Sequence, residues 1–163
     1  NNYSRNYKLN YKSLMPSNMY GPNDNYDLKS SHFFPALIKK IHLAKKNKRD
    51  SITIWGSGKP LRELLFVEDF ADAILYFMNR RFNYPFINIG TGRDYNIKWY
   101  AKFIANELKA NKLKFKFDKS KPDGMKRKLL DVKLAKRLGW QAKTSLKKGL
   151  AITLKDYYKK VKN

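Results

Sequence analysis

The apolar residues of this chain change their spacing repeatedly, from the period of a helix to the period of a strand and back. Phe34, Leu37, Ile38, Ile41 and Ala44 recur at helical intervals, with Lys39, Lys40, Lys45 and Lys46 on other faces. That spacing predicts an amphipathic helix starting near Ser31 and packed on a core. S-I-T-I-W, residues 51–55, then reads as a strand. V-E-D-F-A-D-A-I-L-Y-F-M, residues 67–78, returns to the helical period, with Glu68 and Asp69 in the first turn, where acids suit the helix dipole. F-I-N-I, residues 86–89, is a short strand ending in G-T-G, and the next helix runs from about Asn96 to Leu108 with Ile97, Ala101, Ile104, Ala105 and Leu108 inward. L-K-F-K-F alternates as a half-buried strand. Strands that alternate with helices in this way make the fold class α/β.

The two ends of the chain extend the pattern. Y-K-S-L-M, residues 11–15, reads as a strand leading into Pro16 and the turn-rich S-N-M-Y-G-P-N-D-N, a long loop. Asp131 is placed to cap a short helix that stops at Gly139, and Ser145 to cap a last one running to about Val161. The opening Y-S-R-N-Y-K has the character of a helix end rather than of a first strand. No glycine-rich phosphate loop of the G-x-x-G-x-x-G kind follows any strand.

Composition decides whether such a pattern can condense and what it can meet. With 163 residues, 42% hydrophobic and 15% aromatic, the chain can bury the core of one ordinary domain. No apolar run approaches the roughly 18 residues of a membrane span, and N-N-Y-S-R-N-Y-K lacks the apolar stretch of a signal peptide, so a cytoplasmic protein without a membrane partner is expected. Zero cysteines exclude a disulfide framework, a thiolate metal site and a cysteine nucleophile within these residues. The net charge of +23, from 36 Lys and Arg against 13 Asp and Glu, calls for an anionic partner. The lysines are scattered through every segment, and no zinc-finger spacing, basic region with heptads or RNP-like signature occurs. Nucleic acid is therefore not the expected main partner, and a smaller anion profits from the same field.

One loop carries more chemistry than a turn requires. In W-G-S-G-K-P-L-R-E, residues 55–63, Gly56, Ser57, Gly58 and Pro60 would form the turn without help from Trp55 or Arg62. Something beyond the turn itself has a use for an aromatic face and a guanidinium. Trp55 can also be read as an edge-strand core residue.

Five segments in order, M-P-S-N-M-Y-G-P-N-D-N-Y, S-S-H-F-F-P-A-L-I-K-K, I-W-G-S-G-K-P-L-R-E-L, I-N-I-G-T-G and F-D-K-S-K-P-D-G-M-K-R-K-L-L-D-V, resemble successive signatures of the GDP-L-fucose synthases. These are NADPH-dependent 3,5-epimerase/4-reductases of the extended short-chain dehydrogenase/reductase superfamily. The resemblance covers essentially the whole chain but only the family's C-terminal half. It implies the last Rossmann strands plus a small α/β substrate-binding domain. Residues 1–30 are the expected end of the Rossmann domain and 31–163 mainly the substrate-binding part, with segments near 66–92 returning to the Rossmann sheet. It implies that the nucleotide-binding glycines, the Ser, Tyr and Lys of the reductase site and the cysteine base lie upstream of these residues, and that the complete enzyme is a homodimer acting on GDP-4-keto-6-deoxy-mannose. The chain by itself is then expected to be inactive.

The resemblance also assigns roles. His32 matches the acid that reprotonates the sugar ring and lies against the cofactor; a lone histidine at a helix start is otherwise ordinarily structural. Pro16, Ser17, Asn18 and Met19 match the segment at the nicotinamide end of NADP(H), though P-S-N alone is a turn. Lys40, Trp55 and Arg62 match contacts to the nucleotide-sugar, and Asp123 and Lys128 match a segment that closes over the nucleotide. Lys128 reads equally well as a solvated charge. His42 keeps the structural reading. Met125 and Lys126 depart from the small residue and proline common after D-G, and Phe66 and Glu68 depart from the histidine and shorter acid found in many members. Two other readings stand beside this one: another nucleotide-sugar epimerase or dehydratase of the superfamily, and a catalytically dead basic module holding nucleotide-sugars or nucleic acid.

Overall fold

Short parallel strands, each followed by a helix or loop that returns the chain, organise the molecule. The computed structural model describes residues 6–8 and 11–162. In chain order the elements are β1 Leu14–Pro16, β2 Asn18–Tyr20, α1 Phe33–Lys46, β3 Ser51–Trp55, β4 Leu61–Phe66, α2 Val67–Met78 and β5 Ile87–Ile89. They continue as β6 Asp94–Asn96, α3 Ile97–Glu107, β7 Lys114–Asp118, β8 Arg127–Lys128, α4 Lys133–Arg137 and α5 Leu146–Lys162. The α/β alternation read from the apolar spacing is observed, with three strands it did not contain: β4, which begins inside the 55–63 stretch read as a loop, β6 and β8. The helix end expected over residues 3–8 lies largely outside the described residues.

β1 pairs in parallel with β5, Leu14 opposite Ile87 and Pro16 opposite Ile89. β2 pairs in parallel with β4, which also takes β6 antiparallel and β8 parallel. β3 and β7 form a separate parallel pair in register from Ser51–Lys114 to Trp55–Asp118.

The turn-rich stretch after Pro16 is also a strand in part. S-N-M-Y does not turn after Pro16: Ser17 donates its amide to Ile89 O at 3.0 Å, and the chain then passes to β4 as β2. The Asn18 side chain fixes the transfer by donating to Glu63 O at 2.8 Å. Pairing partners far along the chain override the local turn preference of Ser and Asn. A second correction concerns Asp131. Val132, not Asp131, occupies the cap position of α4, and the Asp131 carboxylate accepts from Lys133 N at 2.9 Å to close a turn ahead of the helix. Ser145 does accept from Lys148 N, at 3.3 Å.

Two apolar clusters result. α1, α3 and α5 pack Phe34, Ile38, Ile104 and Leu150 around β3, while α2, α4 and the segment after α4 pack Phe77, Ala135 and Trp140 against Ile87 and Ile89. β4 serves both, because successive strand residues face opposite ways: Leu64 and Phe66 belong to the first cluster and Leu65 to the second. Fully burying a side chain such as Leu65 stabilises the fold by roughly 1.5–3 kcal/mol. Asp69, buried in the first turn of α2, ties that helix to the approach to α5 by accepting from Thr144 N at 3.0 Å and Thr144 Oγ1 at 2.9 Å.

Candidate functional site

Between the first half of α1, the end of β3 and the loop before β8 lies a cleft of about 260 Å³. It brings together Lys40, Trp55, Arg62 and Asp123, four residues spread over 83 positions of sequence and joined here with Ser31 and Phe33.

Trp55 ends β3 at the point where the chain leaves the sheet, and it is 62% exposed, so it is no edge-strand core residue. Two ammonium groups approach its ring, Lys40 Nζ at 5.7 Å and Lys121 Nζ at 5.8 Å from the centroid. Lys40 is positioned by donating to Thr53 O at 3.0 Å, and partial burial pushes its ammonium pKa below the usual lysine value. An indole face flanked by two cations accepts a planar ring and offers the charges for attached phosphates.

The Gly-Ser-Gly turn after Trp55 is held from outside. Ser57 donates its amide and hydroxyl to the Asp123 carboxylate at 2.5 and 2.6 Å, which holds that carboxyl below the usual carboxylate range. Gly56, at φ 79°, leaves no room for a Cβ beside Asp123 Oδ1. Asp123 is thus a clamp on the loop as well as part of the cleft wall. Arg62 works on the same loop from β4: Nη1 donates to Leu61 O at 2.8 Å and Met125 O at 2.7 Å, and Nη2 reaches Asp123 O at 3.4 Å. Its Nε–H and one Nη2 hydrogen have no partner among the described residues.

The other expected residues lie apart from this cleft. Lys128 sits opposite Arg62 in the β4–β8 register, exposed to solvent. His32 is the exposed residue before α1 and makes no capping bond; its neighbours Ser31 and Phe33 line the cleft, and it does not. The Asp24 carboxyl, raised above its usual pKa mainly by burial, feels the opposing pull of the His32 side chain. Pro16 to Met19 form the β1–β2 passage described above, and Ser17 Oγ is buried with no hydrogen-bond partner among the described residues. His42 packs edge-on against Tyr157 and Tyr158.

A residue with no assigned role proves central. Glu63 is fully buried, and its carboxylate accepts from Thr91 N at 2.6 Å, Gly92 N at 2.7 Å and Leu130 N at 2.9 Å. It fastens the G-T-G turn after β5 and the segment after β8 to the strand that carries Arg62. Gly90 lies so close that a Cβ there would collide with Glu63 Oε1. The signal available in sequence was an acid inside the L-R-E-L-L-F strand, on the same face as Leu65.

Residues 1–97 match the NAD dependent epimerase/dehydratase family model. The chain is 43% identical over 149 residues to a putative GDP-L-fucose synthase 2 of Arabidopsis thaliana, covering 91% of this chain and 45% of that protein. It is 42% identical over 160 residues to the GDP-L-fucose synthase of Escherichia coli strain K12, covering 93% of this chain and 50% of that one. Among solved structures, a GDP-L-fucose synthetase from Naegleria fowleri bound to NADP superposes with a TM-score of 0.87 at 25% identity, over 99% of this chain and 51% of that chain. The chain spans about half the length of the relatives it matches. The family match runs from the start of the chain through β1–β5 and α1, the elements that build most of the cleft, so the chain belongs to the NAD dependent epimerase/dehydratase family.

Proposed function

We propose that these residues form the nucleotide-sugar-binding part of a GDP-L-fucose synthase, which converts GDP-4-keto-6-deoxy-mannose to GDP-L-fucose. The observation that carries the reading is the convergence of Lys40, Trp55, Arg62 and Asp123 on one cleft in a chain about 42% identical to proteins of that name. Trp55 stacks the guanine, Lys40 and the free donors of Arg62 meet the diphosphate, and the loop clamped by Asp123 sets their spacing. Lys128, beside Arg62 in register, adds a further cation for the nucleotide.

The cofactor of this reading is NADP(H), which supplies hydride for reduction of the C4 ketone. Ser17, with its buried, unpartnered hydroxyl at the carboxyl end of β1, fits a polar group arriving beyond the strand ends, where open α/β sheets receive their ligands. Pro16, Asn18 and Met19 complete that wall, and the exposed His32 imidazole, free of capping duty, returns a proton to the sugar during epimerisation. The glycine-rich contacts to the cofactor come, in this proposal, from residues outside these 163, as does the second subunit of a homodimer. Residues 1–30 and the stretch near 66–92 belong to the cofactor-binding domain, and the remainder to the substrate domain.

Titration with GDP-fucose and with inorganic pyrophosphate at moderate salt tests the cleft. Tighter binding of GDP-fucose is expected, because pyrophosphate forfeits the Trp55 face. Equal affinities that collapse together as salt rises would reduce the cleft to a nonspecific cation patch.

A further inference from the structure

The carboxyl ends of α1 and α3 meet away from Trp55, and there they present charge. A groove of about 440 Å³ carries Lys45, Lys48, Arg49, Lys109 and Lys112 against the single carboxylate of Asp50. Lys48, Arg49, Lys109 and Lys112 are exposed, and among the described residues none of the four pairs with a carboxylate. Along α1, the run from Lys40 to Lys48 separates the groove from the nucleotide cleft by about 12 Å.

Two of these lysines stand where glycine belongs. α1 closes in a left-handed turn at Lys48, φ 51°, with Lys48 N donating to Lys45 O at 3.2 Å and Arg49 N to Ala44 O at 2.8 Å. α3 closes in the same turn at Lys109, φ 54°, with Lys109 N on Asn106 O at 3.0 Å and Ala110 N on Ala105 O at 2.7 Å. α4 makes this turn a third time, away from the groove, and there the left-handed residue is Gly139, φ 89°. A Cβ is strained in this conformation, which is why glycine is its ordinary occupant. The negative end of a helix dipole attracts cations, but Lys45 and Lys46 already serve α1 from its last turn, and Lys45 Nζ donates to Leu108 O at 2.8 Å. The dipole of α1 therefore does not require Lys48, whereas Lys109 is the first cation past α3, whose last turn carries none.

We infer that this groove binds the phosphate backbone of a nucleic acid without reading its bases. Four of its five cations are lysines, point charges that meet phosphate oxygens from any direction, and only Arg49 offers the planar fork that matches a carboxylate. No aromatic side chain lines the groove, so bases find no stacking platform. It is concave, and none of the exposed large apolar side chains that would enter a membrane surface lies in it. The net charge of +23 steers a polyanion toward the molecule, and the groove is where that polyanion settles.

The test is an anisotropy titration of the 163-residue chain with a short mixed-sequence DNA duplex over a salt series, with polyglutamate and anionic phospholipid vesicles as parallel probes. Lys48→Gly with Lys109→Gly removes two charges and gives each turn its preferred residue. This double variant should weaken duplex binding on the order of tenfold and flatten the slope of log K against log salt by about two. Lys133→Gln with Lys155→Gln, which removes the same charge from other surfaces, should leave both nearly unchanged. If the glycine variant melts lower than the parent, Arg49→Gln with Lys112→Gln replaces it, with the same flattening expected. Equal losses in the groove and control variants would mean that net charge alone binds the duplex, and the inference fails. Tighter binding of polyglutamate or vesicles than of the duplex overturns it in favour of an acidic protein or a membrane.

Discussion

Arg62 has two tasks, and a substitution separates them only in part. Its guanidinium holds three backbone carbonyls at Leu61, Asp123 and Met125, and in the proposed function it also meets a phosphate. Arg62→Lys keeps the charge but loses the fork, so GDP-fucose affinity should fall about tenfold or more, the scale of one charge-assisted hydrogen bond. An unchanged dissociation constant would remove Arg62 from the site. Asp123 makes a pH-dependent contribution through the same loop. Ser57 depresses its folded pKa, so the clamp is fully present above the usual carboxylate value and is lost as pH falls through the depressed one. Trp55 fluorescence should therefore titrate below about pH 3.9 in the parent, and that transition should be missing from Asp123→Asn. At Glu63, the Gln substitution turns an acceptor into an amide donor facing Leu130 N or the G-T-G turn. The expected loss is about 2 kcal/mol, visible as a melting temperature lower by roughly 4–8 °C. No change on melting would contradict the role given to the buried carboxylate.

At the scale of elements, the three left-handed helix ends make a comparison within one chain. Lys48→Gly or Lys109→Gly relieves a strained Cβ but adds freedom to the unfolded chain, so each should stabilise by up to about 1 kcal/mol and raise the melting temperature by about 2–4 °C. Gly139→Ala, at φ 89° and with its Cβ directed at the Tyr76 hydroxyl, should move it the other way. A melting temperature that falls in the lysine variants would show that the two positions are held by contacts rather than merely tolerated.

For the whole molecule, the proposed function separates the tasks of substrate and cofactor. In that reading the 163 residues supply the nucleotide-sugar cleft but carry no G-x-x-G-x-x-G loop to seat a dinucleotide, so no NADPH oxidation with the 4-keto sugar is expected from them in isolation. Fusion to the matching cofactor-binding half of a relative should restore it. In that fusion His32→Gln should impair epimerisation more than ketone reduction, because an amide does not exchange the proton. Turnover by the isolated chain would overturn the division of labour, and indifference to the His32 change would end its acid–base role.

Period and punctuation in the amino-acid sequence were enough for the α/β order, for the inward faces of α1 and α3 and for the stop at Gly139, because those are local properties of backbone geometry and side-chain spacing. The W-G-S-G-K-P-L-R-E loop announced Trp55 and Arg62 for the same reason: a turn does not need them. Three things were decided only by tertiary contact. Asn18–Tyr20 became a strand because β4 lay ready to pair with it. Asp123 became a clamp because the folded chain brings it to Ser57, 66 positions away. Glu63 became the fastening of three segments because burial leaves a carboxylate no water, and the amides of Thr91, Gly92 and Leu130 are what the fold supplies instead. Local pattern is additive along the chain, whereas satisfying a buried charge depends on which distant groups arrive beside it.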